Sequence, residues 1–214
     1  MKLLPKRNQD RGFSLAEVLI VTVIILGLSA LVAPSAKVIG NVDMQRGVGL
    51  IHRNLSLARQ TAIRENRPIE VRFYYYADPI FTDGGKQFRS LQYLYEADPT
   101  DRDSAAIAKS KIIHLPANII VMNDPQYSTL VTAPELQGTQ PDDNKSKSIT
   151  GTYYSFTFMS DGSTNLQDDT PGAWFLTVVE EADLTSSETL PSHFVTLQID
   201  PFSGALRRLQ PEAG

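Results

Sequence analysis

Between Phe13 and Ala36 the chain reads FSLAEVLIVTVIILGLSALVAPSA, 24 residues whose one charge is Glu17. As an α-helix such a run covers about 36 Å, more than the roughly 30 Å hydrocarbon thickness of a bilayer. The segment is therefore read as a single membrane span over 13–36. Lys2, Lys6, Arg7 and Arg11 precede it with only Asp10 in opposition, which leaves 16 of the 20 Lys and Arg against 23 of the 24 Asp and Glu in the remainder. That remainder has a net charge of −7. The excess of cations before the run places residues 1–12 in the cytoplasm and everything after the run on the far side.

Two other readings compete. A cleaved secretory signal also has a basic start and an apolar run, but its core is usually 7–15 residues. The one small-residue site near the end here, Ala33-Pro34-Ser35, fits an A-x-A cleavage site poorly. A plain anchor leaves Glu17 unexplained, because an acid near the middle of a lipid-facing helix costs roughly 2.5–3.5 kcal/mol. A partner for it is available if the chain is cut after Gly12. Phe13 then gains an α-amino group, largely cationic at neutral pH. Subunits stacked with an axial offset would pair the amine of one with Glu17 of the next, a contact that specifies register more than it stabilises. Pro34 lacks a backbone donor and is expected to kink or locally open the helix.

The order Gly12-Phe13-Ser14-Leu15-Ala16-Glu17 followed by an apolar run resembles the class III signal of type IV pilins and type II secretion pseudopilins. The resemblance implies that a prepilin peptidase cuts after Gly12 and methylates the new amino terminus at Phe13. It further implies that Glu17 guides subunit docking, and that Pro34 is the counterpart of the family's proline near the end of the run.

Beyond Pro34, Met44, Val48, Ile51, Leu55, Ala58 and Ala62 recur at spacings of three and four. That is one apolar stripe of an amphipathic helix, read as its packing face. Asn66-Arg67-Pro68 marks its end. Residues 13–66 are thus expected to form one long helix, with a membrane half at 13–36 and an amphipathic half at 37–67. From Ile69 the period changes to two: Ile69, Val71, Phe73 and Tyr75 alternate with Glu70, Arg72, Tyr74 and Tyr76, a strand with one apolar face. Further strands are predicted at 88–96, 111–122 with a break at Pro116, 153–159, 173–180, 193–199 and 205–209. Asp83-Gly84-Gly85, Asp161-Gly162 and Asp200-Pro201-Phe202-Ser203-Gly204 supply turns between them. Segments 77–87, 97–110 and 124–152 read as surface loops. One helix followed by this many strands predicts an α+β fold, a long N-terminal helix on antiparallel sheets, with residues 68–214 as a β-rich domain.

Leu57 to Val71, the block LARQTAIRENRPIEV, resembles the L-A-R-x-x-A-I-x-x-[NG]-x-P-[VI]-x-V block of minor pseudopilins of the GspH/FimT type. Leu115-Pro116-Ala117-Asn118-Ile119, Phe158-Met159-Ser160-Asp161-Gly162 and the closing strands Val195 to Arg208 are similar to further segments of that family. The implied product is a minor pseudopilin or minor pilin, held in the bacterial inner membrane with a periplasmic domain and assembled into a pseudopilus or pilus tip. Its partners would be prepilin peptidase, other pilin or pseudopilin subunits and inner-membrane lipid.

Other chemistry finds little support. Cysteine is absent, which removes disulfides, thiolate metal sites and cysteine nucleophiles. His52, His114 and His193 show no ligand spacing, and Asp98, Asp101 and Asp103 lack the glycine and glutamate of an EF-hand loop. No metal or cofactor is expected. No nucleophile elbow, P-loop or dinucleotide fingerprint occurs, so no enzymatic activity is expected. The acidic remainder disfavours nucleic acid, which selects basic surfaces. A DNA-binding or adhesive minor pilin and a membrane-anchored periplasmic enzyme remain as alternatives.

Overall fold

The computed structural model describes residues 15–77, 85–96, 106–140, 151–167, 173–184 and 190–210, with the side chains of 29–41 and of Gln140 outside that description. Residues 1–14, which include the expected leader, fall outside it. The chain divides into two units, Met1–Asn41 and Val42–Gly214. Helix α1, Leu15–Glu65, contributes to both.

In the first unit, Leu15–Leu28 is helical and exposed at every residue. Its hydroxyl-bearing Thr22 donates to the Val18 and Leu19 carbonyls at 3.0 and 2.9 Å, so its polar group is satisfied without water. Among the described residues no helix is long and apolar enough to cross a membrane. The span expected over 13–36 reaches beyond them, at residues 13 and 14 and at the side chains of 29–36.

In the second unit, Met44, Val48, Ile51, Leu55, Ala58 and Ala62 are all buried in one core cluster. Small residues bring α1 close to the sheet: a Cβ on Gly47 would stand 2.8 Å from Ile119 Cγ2. The helix ends in a double hydrogen-bonded cap. Asn66 takes the left-handed conformation at φ 48°, its N–H donates to Ile63 O, and the Arg67 N–H donates to Ala62 O at 3.1 Å. Pro68 follows and cannot continue a helix.

Among the described residues ten strands follow: β1 Ile69–Tyr76, β2 Gln87–Tyr95, β3 Ile107–Ala108, β4 Ile113–His114, β5 Ile119–Val121, β6 Gln137–Gln140, β7 Gly151–Phe158, β8 Phe175–Glu180, β9 Phe194–Ile199 and β10 Leu206–Leu209. They form one sheet in the order β10-β9-β8-β5-β2-β1-β7-β6, with β3 and β4 also on β2. Every pairing is antiparallel. The α+β class expected from the sequence is therefore the one observed. Ile69, Val71 and Phe73 join Leu55, Ala58 and Phe156 in the core, and a smaller cluster of Ile120, Met122 and Val179 forms around β5 and β8.

Three expectations need correction, the simplest being 97–110, read as a surface loop, where Ile107 and Ala108 pair with β2 as a strand. The stretch 124–152 is not simply a surface loop. A short 3-10 turn over Thr129–Val131 buries Leu130 and Val131 completely. Ser128 Oγ accepts from Thr177 N and Thr129 Oγ1 accepts from Phe175 N, each at 3.0 Å, so side chains serve the β8 backbone as a neighbouring strand would. Gln137–Gln140 then pairs with β7 as a strand, held by backbone bonds that leave no apolar alternation to read. The last correction concerns β1, whose polar face is covered. Glu70 and Tyr74 are buried. Arg72 binds Glu70 bidentately, both bonds at 2.7 Å, and its guanidinium lies 4.4 Å from the Tyr153 ring centre. Tyr74 donates to Gln92 Oε1 at 2.7 Å, and burial pushes its phenol up to about 12. Arg72 on the same strand, with Gln92 and Tyr153 on the neighbouring strands, makes these polar side chains tolerable in the interior.

Candidate functional site

Three features concentrate the chemistry that this chain displays. The first is the helical segment Leu15–Leu28. Its apolar side chains remain exposed on all sides, from 49% at Val21 to 83% at Leu15. A helix that is apolar all round belongs in a membrane or against other chains, not in water. Glu17 stands in its first turn, where the helix dipole favours an anion. Its neighbours one turn on are Ile20 and Val21, and among the described residues it has no ion-pair partner. Gly12 and Phe13 lie outside the described residues. Pro34 lies within α1, but its side chain is outside them too.

The second feature is a node around Arg59 in the other unit. The Arg59 Nε–H is shared between two carbonyls, Ser203 O at 2.8 Å and Gly162 O at 3.1 Å. Those acceptors lie in two turns built alike. Asp161 Oδ1 accepts from the N–H and hydroxyl of Ser163 at 2.9 and 2.6 Å, and Asp200 Oδ1 does the same for Ser203 at 2.8 and 3.0 Å. These serine donors hold both carboxyls below the usual carboxylate range. Thr164 ties the turns together by donating its N–H and hydroxyl to Pro201 O. Gly162 and Gly204 have φ of 88° and 62°, a region that glycine enters without a Cβ penalty. A charged donor to a carbonyl contributes about 1.5–3 kcal/mol, so Arg59 locks α1, the end of β7 and the β9–β10 hairpin into one piece. Its task is positional.

The third feature closes the far end of α1. The Glu65 carboxylate accepts from the Tyr95 hydroxyl, from Lys109 Nζ and from Arg64, the last two at 3.1 Å. Arg67 lies over the Tyr95 ring at 4.3 Å. The Tyr95 bond, then Lys109 and Arg64, lowers the Glu65 carboxyl from 4.5 to about 2. A carboxyl that is more acidic in the fold contributes stability above its unfolded value, and this contribution fades as pH falls. Wild type should therefore exceed Glu65→Gln in thermal midpoint at pH 7, and the gap should close between about pH 4.5 and 2. A gap that persists at pH 2 would refute the assignment.

The sequence blocks around Ala58, Asp161 and Gly204 are each readable, but their meeting at Arg59 is not. The one local sign of the node is the repeated Asp, Gly and Ser in both turns. No group of His, Asp and Glu suited to a metal occurs among the described residues, and Asp98, Asp101 and Asp103 lie outside them. No family model matches the chain, and no curated protein matches it. Among solved structures it is similar to the minor pseudopilin EpsH from the type 2 secretion system of Vibrio cholerae, at 14% identity, with a TM-score of 0.42, over 81% of this chain and 98% of that one.

Proposed function

We propose that this chain is a minor pseudopilin or minor type IV pilin, a structural subunit and not an enzyme. In this reading residues 1–12 are a cytoplasmic leader, 13–36 the membrane half of α1, 37–67 its amphipathic half and 68–214 a periplasmic domain. Prepilin peptidase cuts after Gly12 and methylates Phe13. The subunit waits in the inner membrane and is then drawn into a periplasmic pseudopilus or pilus, where Glu17 pairs with the amine of a neighbouring subunit. The observation that carries the reading is the exposed apolar helix from Leu15 to Leu28, with Glu17 as its one charge, continuing within α1 into a stretch that packs on a sheet. An exposed apolar helix in a chain that also carries a folded sheet domain suits a subunit that leaves lipid for the interior of a fibre.

The test is the intact mass of the chain co-expressed with and without a prepilin peptidase. Loss of residues 1–12 and gain of one methyl group, only when the peptidase is present, is the expected result. An uncut chain, or a cut near Ala36, would overturn the proposal.

A further inference from the structure

Gly49 lies within α1 on its exposed face, and a Cβ added there would meet nothing within 4 Å. A glycine inside a helix costs about 1 kcal/mol relative to alanine. Gly47 offsets that cost by letting Ile119 approach, but among the described residues no contact does so for Gly49. What Gly49 borders instead is an open groove of about 540 Å³ between α1 and the segment His114–Pro116. Its lining includes buried Leu115 and half-buried Leu50 and Pro116 as an apolar floor, with exposed Gln45, Arg46, Arg53 and His114 as its lip.

The lip is basic although the chain after residue 12 is acidic. Arg46 and Arg53 lie about two turns apart on one face of α1. Arg46 reaches Asp43 at 3.3 Å yet remains 71% exposed, and Arg53 has no ion pair among the described residues. His114 Nδ1 faces the Tyr76 hydroxyl at 3.2 Å.

We propose that this groove docks an acidic peptide segment of a neighbouring subunit, with carboxylates on Arg46 and Arg53, an apolar side chain over Leu50 and the segment's backbone close to Gly49. The identity of the partner as a subunit rests on the function proposed above. The charged lip matches carboxylates, and the missing side chain at Gly49 leaves room for close approach. An anionic lipid headgroup would satisfy the arginines but leave the apolar floor uncovered, so a peptide fits better.

The test uses the full chain in phosphatidylcholine nanodiscs, titrated calorimetrically with an acetylated, amidated octapeptide of alternating Glu and Leu. Binding should weaken at least tenfold in the Arg46→Gln/Arg53→Gln double variant, and with added salt. Gly49→Leu should weaken it as much while the thermal midpoint holds or rises, because leucine favours the helix and would fill empty space. Wild-type affinity in either variant, equal affinity for a Lys and Leu peptide, or no binding by the wild type would overturn the proposal. So would association with phosphatidylglycerol nanodiscs in place of the peptide. A chain that is processed by the peptidase but fails here refutes the groove alone; one that binds but is never processed refutes the subunit reading alone.

Discussion

Replacing Gly204 by alanine is expected to destabilise the Val42–Gly214 unit by about 3 kcal/mol, the sum of a left-handed backbone penalty and an overpacked contact. The new Cβ would stand 2.3 Å from the Gly162 carbonyl oxygen and 3.1 Å from Arg59 Cδ and Nε. Neither neighbour can yield cheaply: the carbonyl is backbone, and moving Arg59 loses its bonds to both turns. Arg59→Met should cost about 2 kcal/mol, since it removes the charged donor and leaves two carbonyls short of a partner. Gly85→Ala is the control, because its Cβ would meet nothing within 4 Å, and it should stay within about 0.5 kcal/mol of wild type. Urea midpoints of the three variants decide the matter. Equal midpoints for Gly204→Ala and Gly85→Ala would show that the two turns are not locked as described.

Glu17→Ala is expected to leave cleavage after Gly12 intact, keep the chain in the membrane and still exclude it from fibres. The signs oppose each other for a physical reason. Removing a carboxylate from an apolar helix relieves roughly 2.5–3.5 kcal/mol of cost in lipid, so insertion becomes easier. The same change removes the anion that would meet a neighbour's amine, and roughly 1.4 kcal/mol of lost pairing already means a factor of ten. Recovery in a sheared fibre fraction should therefore fall on the order of tenfold or more, while processed protein in the membrane holds or rises. Normal recovery would show that Glu17 does not direct docking. A simultaneous loss of cleavage would assign it to peptidase recognition instead.

Local chemistry is what the sequence determined by itself. The spacing of Met44, Val48, Ile51, Leu55, Ala58 and Ala62 is a helical period, and these side chains are buried. Asn66 and Pro68 stop the helix where its double cap forms, and the period of two at Ile69 to Tyr75 opens β1. Each pattern comes from residues within a turn or two of one another, so it survives without any knowledge of the fold. Tertiary structure alone decided the rest. Gln137–Gln140 is a strand because the β7 backbone lies beside it, and the Arg72 that pairs with Glu70 is covered because Tyr153 of β7 lies under its guanidinium. Arg59 reaches partners 103 and 144 residues away in the sequence, and Gly49 faces a groove whose other wall begins at His114. Register and sheet order bring those groups together, and neither is written in any short window of the chain.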